Sequence, residues 1–294
     1  MSVFRPGLFA GKVAIVTGGA TGIGRAISEE LLSLGCRVVI ASRKKERLEE
    51  AVKEMDPSGK SLEAIQCNIR REDEVQNLFT KTLSRFGHLD FLVNNGGGQF
   101  PSPLADVTLK GWEAVIQTNL TGTFLMCREA YRTWFQENGG NIVNIIADMY
   151  RGFPMMAHTG AARAGVENLT RSLAIEWAAS GVRVNAVCPG SSIYSKTARE
   201  NYGENDVFET VRPFVPAKRL GTPQEVSSAV CFLLSPGAAF ISGATLRVDA
   251  GGSLYSNLMW NIPEHDRIPP YEWKYKPPQE GENEGDSGKP KSKL

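Results

Sequence analysis

The chain has 294 residues, 41% of them apolar, and a formal net charge of +1. That size and apolar share allow one large α/β domain with a substantial core, while the near-neutral balance argues against nucleic acid or an anionic membrane as the main partner. Five cysteines without a Cys-x-x-Cys pair and three histidines without ligand spacing argue against a disulfide framework and a metal site, and no apolar run reaches the ~18 residues of a spanning helix.

Residues 13–16, Val-Ala-Ile-Val, read as a buried parallel strand ending at a glycine turn, and a helix follows from about residue 24 to a stop at Gly35. Strands are expected at 37–41, 62–67 and 91–93, separated by helices at 43–55 and 72–86. The alternation continues with helix 112–135, strand 141–146, helix 159–178 and strand 183–187. A loop with short helices over 189–222, helix 224–234 and strand 246–248 complete it. Strand and helix alternating this regularly predict an α/β fold with a doubly wound parallel sheet, a Rossmann-type three-layer sandwich. The domain is expected over 1–265, with residues 191–217 as a lid over the substrate. Residues 266–294 are expected as an extended, disordered tail, because 277–291 are rich in Pro, Gly, Glu, Asp and Lys and hold no aromatic or β-branched residue. The tail closes on Ser292-Lys293-Leu294, an address read by the peroxisomal import receptor, so a peroxisomal location is expected.

The turn after the first strand reads Thr17-Gly18-Gly19-Ala20-Thr21-Gly22-Ile23-Gly24. Gly18 lets the chain leave the strand sharply, and Gly22 and Gly24 let backbone approach a pyrophosphate at the helix N-terminus, with Thr21 and Ile23 between them. The second strand ends at Ala41-Ser42-Arg43-Lys44. An acidic residue there would bind the ribose hydroxyls of NAD. Its absence, with Ser42 followed by Arg43 and Lys44, points to the extra phosphate of NADP. Three further loops fall at carboxyl strand ends: Cys67-Asn68-Ile69 beside the adenine, Asn94-Asn95-Gly96-Gly97-Gly98, and Pro189-Gly190-Ser191-Ser192 facing the nicotinamide.

With these motifs, with Thr118-Asn119-Leu120-Thr121-Gly122 and with Val248-Asp249-Ala250-Gly251-Gly252, the chain resembles the short-chain dehydrogenase/reductase family over roughly residues 8 to 255. Within it the resemblance is to the peroxisomal trans-2-enoyl-CoA reductases, on Asn94 to Phe100, His158 to Gly165 and the final tripeptide, with the 2,4-dienoyl-CoA reductases next. The resemblance implies NADPH, an acyl-CoA substrate and a homotetramer formed through two long helices, here 112–135 and 159–178.

The departures are chemical. Family members carry Tyr-x-x-x-Lys where this chain has Thr159 and Arg163, and a serine where it has Ile146. Of the usual catalytic four, Asn119 alone is kept. Ketone reduction needs an acid beside the new alkoxide, normally a tyrosine whose pKa a lysine lowers. Threonine is far too weak an acid for that role, and arginine cannot relay protons as lysine does. Conjugate reduction of an α,β-unsaturated thioester instead needs donors at the thioester oxygen. Asn119, Thr159 and a tyrosine just after the fifth strand, Tyr150, are the candidates, and His158 is a weaker one. Arg163 is expected to bind the nicotinamide ribose, with an i,i+4 pair to Glu167 as the alternative. Tyr194, Tyr202, Lys196, Arg199, Arg212, Lys218 and Arg219 lie in or beside the lid, where the cations face either CoA phosphates or solvent. Four functions remain open from the residues: a trans-2-enoyl-CoA reductase, a 2,4-dienoyl-CoA reductase, a non-catalytic NADP-binding protein and a carbonyl reductase with a displaced tyrosine.

Overall fold

The short runs of Val, Ile and Leu become strands buried on both faces, because amphipathic helices cover each side of the sheet. The computed structural model describes residues 2–195, 199, 207–256 and 260–277. Among these, β1 (Val13–Thr17), β2 (Arg37–Ser42), β3 (Leu62–Gln66), β4 (Phe91–Asn94), β5 (Gly140–Ile145), β6 (Val182–Pro189) and β7 (Thr245–Val248) form one parallel sheet in the order β3-β2-β1-β4-β5-β6-β7. The order reverses between β1 and β4. That is the switch point where open α/β sheets leave a crevice at the strands' carboxyl ends.

The helices are α1 (Gly22–Ser33), α2 (Lys45–Met55), α3 (Glu72–Phe86), α4 (Leu109–Ile116), α5 (Gly122–Ala130), α6 (Gln136–Asn138), α7 (Ala157–Glu176), α8 (Val207–Val211) and α9 (Pro223–Leu234). One face of the sheet buries Ile27 and Leu31 of α1, Leu48 of α2 and Val226 and Val230 of α9. The other buries Leu78 and Phe79 of α3, Met126 of α5 and Leu173 of α7. Each such side chain stabilises the fold by about 1.5–3 kcal/mol.

Two element boundaries bear on the site. The helix expected at 43–55 starts at Lys45, since Lys44 is extended at its N-cap, and this leaves Arg43 and Lys44 in the loop beyond β2. The helix expected at 112–135 is a longer rod broken by wide π-helical turns at Gln117–Thr121 and Tyr131–Phe135. Such turns recur at functional sites, and the first one contains Asn119.

Beyond residue 265 the chain runs without helix or strand as far as residue 277 but packs on the domain. Arg219 donates to the carbonyls of Ile268 (2.7 Å) and Pro269 (3.1 Å), and Thr222 donates to that of Tyr271 (3.0 Å). Tyr271 reaches the buried Glu30 at 3.1 Å, Trp273 is buried, and Tyr275 packs against the core. An isoleucine and three aromatics over 268–275 supply the apolar surface that 277–291 lack. The body therefore extends to Tyr275. Lys196, Tyr202, residues 278–291 and Ser292-Lys293-Leu294 lie outside the described residues. Among the described residues, no helix is long and apolar enough to cross a membrane.

A buried polar relay fixes α7 to the sheet. Asn94 of β4 donates to Asn144 of β5 (2.9 Å), and Asn144 donates to Thr170 of α7 (2.9 Å). Asn144→Ala leaves the Asn94 amide with only the weak Cys127 Sγ acceptor (3.2 Å) and opens a cavity, so it should lower unfolding free energy by about 2–4 kcal/mol. Urea denaturation followed by circular dichroism measures this.

Candidate active site

Three loops meet at the carboxyl ends of the strands. Gly18 leaves β1 at φ +66°, and a side chain on Gly24 would collide with the Gly18 carbonyl, so α1 starts hard against the turn. Thr21 is the N-cap of α1 but makes no side-chain cap bond, and the first turn holds no acidic residue. The leading N–H groups of α1 thus lack a capping side chain, as an anion site requires. The loop after β4 sits on this turn: Asn95 Nδ2 donates to the Thr17 carbonyl (2.9 Å), and Thr17 Oγ1 accepts from the backbone of Asn95 (3.0 Å) and Gly96 (2.8 Å).

The resulting cleft has three compartments. A recess of about 120 Å³ is walled by Gly18, Thr21, Ser42, Arg43, Lys44 and Arg47. A neighbouring one of about 140 Å³ is walled by residues that include Gly18, Arg43, Asn68, Ile69, Gly96 and Gly97. The largest, about 700 Å³, has Ile23, Asn95, Arg163, Pro189 and Gly190 in its wall, with Phe153, Met155, Met156 and Phe208 making it largely apolar. The three are thus a small cationic recess, a glycine-lined trough and a roomy, mostly apolar chamber. Among the predicted binding residues, Gly22 and Gly24 shape the turn without lining a compartment. Ser192 is buried, and Ser191 takes its expected place in the wall.

The four predicted catalytic residues separate. Arg163 lines the large chamber. Its Nη1 donates to the Ile145 carbonyl at 2.6 Å, its Nη2 lies against Gly97, and burial lowers its pKa to about 10. The alternative pair to Glu167 does not form; Glu167 takes Arg171 at 2.7 Å instead. Asn119 is fully buried, with Nδ2 donating to the carbonyls of Gly98 (2.7 Å) and Val115 (3.0 Å) and Oδ1 accepting from Gly98 N (3.2 Å). Its amide is committed to holding the glycine loop. Thr159 is also fully buried, and its hydroxyl has no partner among the described residues. Neither Asn119 nor Thr159 is in the chamber wall.

Tyr150 is likewise absent from the wall. Its hydroxyl donates to Glu167 (3.1 Å), and the Arg247 guanidinium lies 3.9 Å from its ring centre. Burial, the nearby Cys188 and Glu167 push its pKa up to about 12. His158 is buried edge-on to Phe100, with Nδ1 accepting from Thr159 N at 2.9 Å.

Sequence reasoning missed Arg47 and Asp148. Arg47 lies in the first turn of α2, four residues beyond Arg43, and closes the cationic recess. Asp148 stands just past β5 in the chamber wall. Its Oδ1 is buried without a partner among the described residues. Burial first, then Asp249, raises its pKa above the usual aspartate range. The signal was an acid three residues beyond the last residue of a buried strand, within Ile145-Ile146-Ala147-Asp148-Met149.

The family model described as enoyl-(acyl carrier protein) reductase matches residues 18–253, and the chain belongs to this short-chain dehydrogenase/reductase family. It is 36% identical over 258 residues to a peroxisomal 2,4-dienoyl-CoA reductase [(3E)-enoyl-CoA-producing] of Danio rerio, covering 86% of this chain and 85% of that protein. It is 35% identical to a probable 2,4-dienoyl-CoA reductase [(2E)-enoyl-CoA-producing] of Bacillus subtilis, covering 82% and 96% respectively. The solved structure of a citronellol catabolism dehydrogenase from Pseudomonas aeruginosa is 48% identical, with a TM-score of 0.77 over 86% of this chain and 99% of that one.

A methyl group on Gly97 would meet Arg163 Nη2 and, at 2.6 Å, Asn119 Oδ1, both held by hydrogen bonds. Gly97→Ala should therefore cost about 1–3 kcal/mol of stability and weaken dinucleotide binding roughly tenfold or more, since a shift equivalent to 1.4 kcal/mol suffices. Thermal melts and NADPH fluorescence titration report the two effects.

Proposed function

We propose that the chain is an NADPH-dependent reductase of the α,β double bond of trans-2-enoyl-CoA thioesters. One observation carries the reading. Among the described residues, no tyrosine lines the chamber, and the cation that does, Arg163, is an arginine in the place of the family's lysine. Such a wall suits charge spread over a thioester enolate better than a localised alkoxide that needs a phenolic proton. The apolar chamber and the relatives named for dienoyl-CoA reduction support an acyl thioester substrate. Because of those names, 2,4-dienoyl-CoA reduction fits the same site equally well.

In this reading the N-terminus of α1 receives the pyrophosphate, and the recess of Ser42, Arg43, Lys44 and Arg47 receives the phosphate that distinguishes NADP from NAD. Asn68 and Ile69 flank the adenine. Asn95, Gly96 and Gly97 form the trough floor, and Pro189 and Gly190 face the nicotinamide. When bound, the reduced nicotinamide supplies a hydride to the β-carbon of the substrate. Arg163 holds the ribose and places a fixed positive charge near the thioester oxygen, while Asn119 positions the glycine loop through Gly98. Thr159 keeps a free hydroxyl behind this arrangement. A peroxisomal setting accords with the relatives so named. Exposed Phe124 on α5 and Ile175 on α7 are consistent with a homotetramer joined through these helices.

NADPH oxidation with trans-2-enoyl-CoA, 2,4-dienoyl-CoA and 3-ketoacyl-CoA tests the reading. Turnover with one or both unsaturated thioesters and none with the ketone is expected. NADPH binding without turnover of either, or a preference for the ketone, would contradict it. The double variant R43A/K44A should raise the Kd for NADPH at least tenfold and leave that for NADH within about twofold, because a charge-assisted contact contributes about 1.5–3 kcal/mol. Equal losses for both dinucleotides would remove these residues from phosphate recognition.

A further inference from the structure

Conjugate reduction leaves one demand that the predicted residues do not meet. The α-carbon must receive a proton. Thr159 is an alcohol outside the chamber wall, and Tyr150 is bonded to Glu167 away from it. His158 is sealed in the core beside Phe100. The charge of Arg163 is needed where it stands. Among the described residues lining the chamber, Asp148 is the one carboxylic acid, and Arg163 is the one cation.

We propose that Asp148 is the catalytic acid that protonates the α-carbon of the substrate. This inference rests on the reading under Proposed function. Asp148 leaves β5 at the rim of the chamber, in a wall shared with Asn95, Arg163, Pro189 and Gly190. Its carboxyl group takes the Tyr150 backbone N–H, while Oδ1 is buried and unpartnered among the described residues. An ionised oxygen left so would carry a desolvation penalty, whereas a protonated one keeps a hydrogen to give.

The charged surroundings agree. Burial is the largest influence on Asp148, and Asp249, from the loop after β7, adds to it in opposing ionisation; the Tyr150 backbone N–H, Arg247 of β7 and the neighbouring Arg151 favour ionisation, and the net direction is upward. Cys188 of β6 is a neutral neighbour, its pKa pushed up to about 12. Asp249 itself is held ionised by Ser253 and the backbone of Gly251 and Ser253, so its repulsion of a charged Asp148 persists at neutral pH.

The balance is complete. The electron pair delivered as hydride forms the C–H bond at the β-carbon, and the double bond shifts to an enolate. The enolate α-carbon then takes the Asp148 proton: its C–H bond forms as the O–H bond breaks. Asp148 is left a carboxylate and regains its proton from water once the saturated thioester departs. Since the acid form is the active one, kcat is high at low pH and falls as pH rises through the raised pKa of Asp148.

Asp148→Asn is nearly isosteric and tests this. With trans-2-enoyl-CoA it should lower kcat by about 100-fold or more, the usual contribution of a positioned acid, while NADPH affinity stays within threefold. The high-pH fall in kcat of the parent protein should vanish in the variant. Infrared titration of the ligand-free protein should show a protonated carboxyl band, persisting above the usual aspartate range, that Asp148→Asn removes. A variant with kcat within threefold and the same pH profile, or the lack of such a band, overturns the assignment while leaving the reductase reading intact. A parent protein inactive on every unsaturated thioester removes both.

Discussion

A buried guanidinium without a carboxylate partner among the described residues governs this cleft. Arg163 is held by one carbonyl and by the close approach of Gly97, and burial alone lowers its pKa to about 10. At neutral pH it stays charged. A charge so placed is costly unless something negative arrives to meet it. Arg163 lines the apolar chamber and lies against Gly97 of the glycine-lined trough, and the glycine loop, Asn119 and α7 around it are fastened by hydrogen bonds. The relay Asn94–Asn144–Thr170 locks α7 to the sheet, and Asn119 locks the loop to the helical rod.

The same constraint explains why loss of the family's tyrosine, lysine and serine need not abolish chemistry. A localised alkoxide requires an acid at its oxygen. A delocalised enolate requires a fixed positive field and a proton at carbon, and these can come from separate groups. Here the field belongs to Arg163 of α7, bonded to the carbonyl that ends β5, and the proposed proton source is Asp148, three residues beyond that strand end in the same mostly apolar chamber. Low polarity strengthens the first and shifts the second toward its protonated form, so one physical property of the wall serves both.

Much of this was legible in the sequence. The alternation of strand and helix, the uncapped glycine turn and the missing acid after β2 depend on local spacing, and they appear where spacing put them. Arg163 was within reach through the family resemblance, as the residue in the place of the lysine, and it lines the chamber. Other features depend on contacts between distant segments. Where the Asn119 amide points is decided by Gly98, and where Tyr150 points is decided by Glu167 and Arg247. Nothing local encodes either. Asp148 belongs to no motif, and its chemistry comes from burial, which the local sequence does not encode. The packing of residues 268–275 was hidden by the polar stretch that follows them.

The most direct test of the account traces the hydrogen atoms. The protein is given NADPH deuterated at the transferable position and trans-2-enoyl-CoA in ordinary water, and the saturated product is read by NMR. The account predicts one deuterium at the β-carbon and a solvent-derived hydrogen at the α-carbon. Deuterium at the carbonyl carbon, or at no carbon of the thioester, would contradict it.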